Sequence, residues 1–281
     1  MRRSRLQSLL VYLGALLFAA SVLLPVAWML LSSVMPSTQL TALPLRWWPG
    51  TFDWSRYAAL LTLEPNTPGQ TFLYALRNSA VVALTTTAIA LAAGIPAAYA
   101  LSRFPAGKGG LLATVIATYM LPPVALVLPL YQLLAHLHLL NTVWGLILVY
   151  CSLILPFTTW LLKSNFDAVP VEIEESGLID GLSRTGTMTR LVVPLALPGV
   201  TTSAIFAVLL AWDEFFYGLL FTNGLSAKTL PVAIADFTAG RATDYGLIMA
   251  AGALAALPPV LIAVALQRGL LAGLTSGGVK G

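Results

Sequence analysis

Charge is missing from this chain in long blocks, and those blocks decide what it can fold into. Residues 6–45, 78–102, 109–162, 191–212 and 245–267 contain no Asp, Glu, Lys or Arg. A helix that crosses a bilayer needs about 20 predominantly apolar residues. Inside lipid the backbone must pair its own polar groups, so apolar runs of this length are helical. Only 9% of the residues are charged and 58% are hydrophobic, whereas a soluble domain carries about 25% charged residues. The bilayer is therefore the main solvent. Cys151 is the single cysteine, which excludes an intrachain disulfide and a cysteine-based metal cluster. The net charge of +4 is read by its location along the chain, and no nucleic-acid partner is expected.

The runs resolve into six expected spans, giving an all-α polytopic membrane protein. The apolar parts are roughly Leu9 to Val34, Asn78 to Ser102, Leu111 to Leu134, Thr142 to Leu162, Pro198 to Phe221 and Leu247 to Leu266. The long third run is divided near "HLHLLN", residues 136–141. The proline pairs Pro122-Pro123 and Pro258-Pro259 are expected to kink the third and sixth spans.

Lys and Arg set the orientation. With the N-terminus inside, the inner segments hold Arg2, Arg3, Arg5, Arg103, Lys108, Lys163, Arg184, Arg190, Arg268 and Lys280, ten in all. The outer segments hold Arg46, Arg56, Arg77, Lys228 and Arg241, which is five. The bias places both termini in the cytoplasm, with lipid as the surrounding partner.

The loop between the fourth and fifth spans then faces the cytoplasm, and it is the most polar stretch of the chain. It contains "EESGLIDGLSRTGTMTRLVVPLALPG", residues 174–199. Pro170 suits a helix start, where its missing N–H costs nothing. Glu172, Glu174 and Glu175 occupy the early turns, where the helix dipole favours negative charge. Asp180-Gly181 reads as a stop, with Gly181 free to take positive φ. Ser183 can cap a second helix running toward Pro194 and Pro198. The product is a short helix, a sharp turn and a second helix on the inner face, either a groove-docking knob or an ordinary solvated connector.

"EESGLIDG", followed ten residues after Gly181 by Leu191 and then Val193-Pro194, resembles the EAA loop of ATP-binding-cassette importer permeases. Glu175, Gly181 and Pro194 match in identity, and Leu191 and Val193 in character. Ser176 and Gly177 stand in for two alanines, and being small they preserve close approach to a partner. The likeness to the carbohydrate-importer branch continues through "RNSAVVAL", "AYALSRF", the stretch from Met120 to Gly181, "WDEFFYGLLFTNGLSAKTLPVAIADF" and the tail "GLTSGGVKG", which is similar to maltose-type second permeases. It covers roughly Thr71 to Gly281.

The resemblance implies a type I importer permease fold in the bacterial inner membrane. Residues 1–70 would hold the N-terminus, first helix and outside loop. Residues 71–267 would form the permease core with a coupling loop over about 167–198, and residues 268–281 a cytoplasmic tail. It implies a second permease subunit, an ATPase dimer on which ATP and Mg are bound, and an extracytoplasmic sugar-binding protein. It also implies that Glu174, Glu175, Ser176, Gly177, Asp180, Gly181 and Pro194 carry ATPase coupling. No catalytic residue, metal ligand or cofactor of its own is expected. The chain has no Gly-rich phosphate loop ending in Lys-Ser or Lys-Thr.

Candidate pathway residues are Asn78, Trp212, Asp213, Glu214, Phe215 and Tyr217. Acids beside aromatic rings suit a sugar, whose hydroxyls need acceptors and whose C–H faces stack on rings, and intramembrane acids are functional by default. The alternative is that Asp213 and Glu214 reach the interface or pair with Lys228 or Arg77. Asn78 and Ser79 either line the pathway or bond neighbouring helices. Trp47, Trp48, Trp54 and Tyr57 fit an interfacial aromatic belt or a contact with the binding protein. His136 and His138 read as surface residues, a metal pair being the alternative. A secondary transporter would carry an internal repeat with charged or broken helices at the midplane. A membrane enzyme on lipid-linked substrates would need clustered acids or histidines at one interface. Neither pattern fits this sequence as well.

Overall fold

The computed structural model describes residues 5–44, 46–104, 108–238 and 243–276. Arg2, Arg3, Arg241 and Lys280, which enter the charge count, and the end of the tail lie outside them. Helices make up the regular structure, with no strand among the described residues. In chain order they are α1 (Arg5–Ser33), α2 (Ser37–Leu40), α3 (Ser55–Leu60), α4 (Pro68–Arg103), α5 (Lys108–Tyr119), α6 (Pro123–His136), α7 (Val143–Asp167), α8 (Val171–Ile179) and α9 (Arg184–Thr187). A π-helical turn at Met188–Val192 follows, then α10 (Val193–Leu195), α11 (Leu197–Trp212), α12 (Phe216–Phe221), α13 (Leu230–Asp236) and α14 (Tyr245–Ser276).

Four stretches are long and apolar enough to cross a membrane: Gln7–Ser33, Pro68–Arg103, Val143–Asp167 and Tyr245–Leu266. These are the first, second, fourth and sixth expected spans. The other two are broken. The third is α5 and α6 end to end, of 12 and 14 residues, each shorter than a bilayer crossing. Proline disfavours the α conformation in the residue before it, so Leu121 and Pro122 leave the helix and Pro123 starts a new one at its first position. Pro258 and Pro259, by contrast, lie inside an unbroken α14. That helix runs on to Ser276, so the region expected as a tail begins as helix.

The fifth expected span is also corrected. It does not run past its acids as one helix to Phe221. It stops at Trp212 with Asp213 as its C-cap, and α12 restarts after Phe215. At its other end, Arg184–Leu195 and Leu197–Trp212 form a pair bent by 82°. The bend falls where Pro194 and Pro198 flank Ala196, a position with helix-terminating φ −88° and ψ 10°.

The chain divides into two units, described in turn. One comprises Met1–Leu73 and Ala233–Leu257, the other Tyr74–Val232 and Pro258–Gly281. In the first, α1 shows its apolar side chains outward, Tyr12, Leu16, Leu17 and Phe18 among them. Its organising residue is Arg56, which is 5% exposed. The guanidinium donates to Ser33 O (3.3 Å), Met35 O (2.6 Å) and Ser37 Oγ (2.8 Å) and pairs with Asp244 at 3.2 Å. Tyr57 Oη lies 2.6 Å from Ser33 Oγ. Trp47, Trp48 and Trp54 stay largely exposed.

In the second unit, α7 is the central pillar. Thr142 caps its N-terminus by accepting from Gly145 N at 3.1 Å. Its inner residues Leu162 and Phe166 are fully buried with Ala98, Tyr99, Val169, Val192 and Ala196. This cluster joins the C-terminal ends of α4 and α7 to the loop that follows, and seats the polar segment.

Candidate functional site

The polar loop folds as its sequence dictates. Pro170 is the N-cap residue and α8 begins at Val171. The helix ends on a Schellman motif: Leu182 N donates to Gly177 O at 2.9 Å and Gly181 N to Leu178 O at 3.1 Å. Gly181 has φ +88°, which a side chain resists because its Cβ crowds the neighbouring carbonyl. Ser183 Oγ then accepts from Gly186 N at 3.1 Å and starts α9. The expected second helix is real but irregular, passing from α to π geometry at Met188.

The loop has an inner and an outer face. Glu174 is 4% exposed, while Glu175, Ser176 and Asp180 are exposed. Ile179 at the tip is 85% exposed and Val171 47%, so the outward face mixes acids with bare aliphatic side chains. Pro194 is also exposed, in the first turn of α10. Glu174 points inward, where Oε2 accepts from Tyr99 Oη at 3.0 Å and Oε1 pairs with Arg103 Nε. Gly177 is also small for a reason within the loop. It is buried, and a Cβ there would meet Leu191 Cδ1 at 2.5 Å and Leu182 Cδ1 at 3.3 Å. Its smallness serves packing within the loop.

Away from the loop, the two broken spans meet around one cavity of about 310 Å3. It is lined by Tyr119, Leu121, Pro123, Tyr150, Leu153, Ile154, Leu210 and Glu214. Tyr217 Oη donates to Pro123 O at 3.1 Å, which joins the restart of the third span to that of the fifth. Tyr150 Oη donates to Glu214 O at 3.3 Å. Glu214 accepts from Tyr217 N (2.9 Å) and Gly218 N (3.1 Å), so its carboxylate caps α12. An acid at a break in the membrane is thereby partly solvated by the helix it starts.

Of the candidate pathway residues, the cavity takes in Glu214, with Tyr217 bracing it. Asp213 and Phe215 are exposed at the break and Trp212 is buried. Asn78 lies elsewhere. Its amide donates to Leu225 O and Lys228 O at 3.0 Å each, and Ser79 Oγ accepts from Leu230 N at 2.7 Å. Both residues fasten the segment before α13.

Residues 90–275 match the family described as "Binding-protein-dependent transport system inner membrane component". The chain belongs to this family. The permease is 35% identical over 271 residues to the sulfoquinovosyl glycerol transport system permease protein SmoH of Agrobacterium fabrum, covering 96% of this chain and 93% of that one. It is 33% identical to the trehalose/maltose transport system permease protein MalG of Thermococcus litoralis over the full length of both. Its fold matches that in the crystal structure of a bacterial ABC transporter involved in the import of alginate, with TM-score 0.76 at 18% identity, covering 95% and 99% of the two chains. The permease is thus a multi-pass, membrane-spanning subunit of an ATP-driven importer.

Sequence reasoning missed three residues of this permease. Arg56, one of the outer charges in the topology count, is buried. Tyr150 was hidden in an apolar run, with nothing local to mark it as a cavity wall. Arg103 enters the sequence reading through the charge bias and the "AYALSRF" likeness, neither of which points to a buried ion pair. The signal available for Arg103 was its place at the end of "AYALSRF", one helix end away from an excess of acids.

Proposed function

We propose that this permease takes up a sugar or sugar-like solute delivered by an extracytoplasmic binding protein. In this reading it pairs with a second permease subunit above an ATPase dimer. ATP and Mg are bound on that dimer, and this chain takes no cofactor of its own. Its termini are cytoplasmic and the α8 loop faces the ATPase.

The observation that carries the reading is the two-faced loop. Its inner face is fixed to the ends of α4 and α7, and its outer face presents Glu175, Asp180 and Ile179. An exposed mixture of acids and aliphatic side chains on the most polar segment of a membrane chain suits docking to a soluble protein. Closure of the ATPase pair would push on that face, and the buried face would carry the push to the helices around the cavity. The carbohydrate class is supported by the sugar-transport names of the relatives and by the cavity wall, where tyrosines and Glu214 offer stacking surfaces and an acceptor.

Co-purification tests the importer arrangement. The tagged permease, expressed with its neighbouring subunits, is expected to bring down an ATPase and a second permease. A ligand screen on the associated binding protein is expected to return a saccharide or sugar derivative. Recovery of the chain as a homo-oligomer that transports without ATP would point to a secondary transporter.

A further inference from the structure

Two acids stand side by side at residues 174 and 175, and the fold sends them in opposite directions. Glu175 faces out. Glu174 is buried at the hub of a network that reaches three chain segments. Its Oε2 accepts from Tyr99 Oη, and its Oε1 pairs with Arg103, whose side chain is 9% exposed. The same guanidinium donates through Nη2 to Phe166 O and Val169 O, both at 3.0 Å, and through Nη1 to Ser102 Oγ at 3.0 Å. Ser102 Oγ in turn donates to Asp167 Oδ1 at 2.6 Å. Arg184 adds a second tie, its guanidinium carbon 5.2 Å from the Phe104 ring centroid.

Burying an ion pair is not a cheap way to stabilise a fold, because desolvation offsets much of the attraction. What such a pair provides is direction. A planar guanidinium holding a carboxylate and two backbone carbonyls fixes orientation as well as distance. Apolar contacts alone could let α8 slide on the ends of α4 and α7. This network would not.

We propose that Glu174 and Arg103 are positioning residues for coupling, a clasp that makes α8 and the cytoplasmic end of α4 move as one body. Glu174 acts through Arg103 and does not touch the ATPase, whereas Glu175 does. This rests on the importer reading above. The push on α8 then enters the core through the second span as well as through the bent fifth span.

The test uses the assembled complex in lipid vesicles, with Cys151→Ser and Leu121→Cys placing one thiol at the cavity wall. A maleimide labelling rate is measured without nucleotide and after trapping with MgATP and vanadate, alongside ATPase pull-down. Glu174→Ala is compared with Glu174→Met combined with Arg103→Met, which leaves no unpaired charge, and with Arg103→Lys. The clasp variants are expected to retain ATPase within about two-fold while the nucleotide-dependent change in labelling shrinks by about three- to ten-fold. Arg103→Lys is expected to fall between, since an ammonium cannot hold both carbonyls and the carboxylate in one plane. Glu175→Ala is expected to do the reverse and weaken pull-down. The proposal is overturned if Glu174→Ala loses the ATPase as Glu175→Ala does, or if the double Met variant keeps the full labelling change. It is also overturned if the double variant fails to assemble, since the pair would then hold the fold rather than transmit motion. Failure of the unmutated chain to retain any ATPase would instead sink the importer reading itself.

Discussion

Leu191 occupies the space that a side chain on residue 177 would need: a Cβ on Gly177 would lie 2.5 Å from Leu191 Cδ1. The two positions belong to the same loop pattern, on either side of the Gly181 turn, and each explains the other. The obstacle is the flexible end of a leucine, so the site is graded. Gly177→Ala gains about 1 kcal/mol of helix propensity and shifts Leu191 by rotation, leaving stability nearly unchanged. Gly177→Val is overpacked and is expected to cost about 1–3 kcal/mol. Thermal unfolding of the purified complex checks the order, and Leu191→Ala should rescue the valine variant.

Gly181 is constrained differently. Nothing lies within 4 Å of a Cβ built there, yet φ is +88°. The restriction is therefore in the backbone and not in the surroundings. Gly181→Asn is expected to be the mildest change and Gly181→Val the most severe, the latter costing more than about 1 kcal/mol. The severe variant should insert normally and still uncouple ATP hydrolysis from transport, because the second helix leaves the turn at the wrong angle. Uptake measured against ATPase activity in vesicles would show it.

Arg56 is a buried charge, and its loss strands two carbonyls. Arg56→Met leaves Ser33 O and Met35 O without that donor, at about 1–3 kcal/mol for each buried group left unmade. The partner Asp244 is 39% exposed and can be hydrated, and an asparagine there keeps a carbonyl acceptor for the Arg56 Nε–H. A Cβ on Gly246 would run into the Arg56 guanidinium, so Gly246→Ala should reproduce part of the defect. Steady-state protein level in membranes is the measurement, with both variants reduced and Asp244→Asn close to wild type.

Glu214 has two duties, capping α12 and facing the cavity, and graded substitutions separate them. Glu214→Gln keeps one acceptor for the Tyr217 amide and gives up the one for the Gly218 amide, so it should weaken the cap less than alanine does and lower uptake chiefly through its changed charge. Glu214→Ala loses the cap as well, a cost of about 1 kcal/mol, and should lower both uptake and thermal stability. Asp213→Asn changes an exposed group at the same break. If uptake follows position 213 and ignores position 214, the cavity is not part of the pathway.

Four of the six expected spans were legible in the sequence because absence of charge over a bilayer's thickness has no soluble explanation. The turn of the loop was legible because Asp180-Gly181 and Ser183 act through local backbone geometry, which neighbouring residues determine. What stayed hidden depended on distance along the chain. Arg56 and Asp244 are 188 residues apart, so a loop arginine looked solvated. Glu174 and Glu175 are equivalent in composition, and only the packing of α8 on Tyr99 and Arg103 decides which one turns inward. The break in the fifth span was masked by its own aromatics, since "WDEFFYGLLF" is apolar enough to continue a helix. Glu214 ends that ambiguity by capping the new helix.

Cross-linking at the tip of α8 tests the central claim most directly. Ile179 is 85% exposed and stands at the end of the outward face. In a Cys151→Ser background, Ile179→Cys should form an adduct with the ATPase subunit in the purified complex through a maleimide–succinimidyl ester cross-linker, the maleimide taking the thiol and the ester a lysine amine of the ATPase, and should be reachable by impermeant reagents only from the cytoplasmic side. Ala75→Cys, buried on the expected opposite side, serves as the control. An adduct at Ile179 that disappears with Glu175→Ala is the predicted result. An assembled complex in which Ile179→Cys labels freely from outside the cell, or never reaches the ATPase, would contradict the assignment of this loop as the coupling joint.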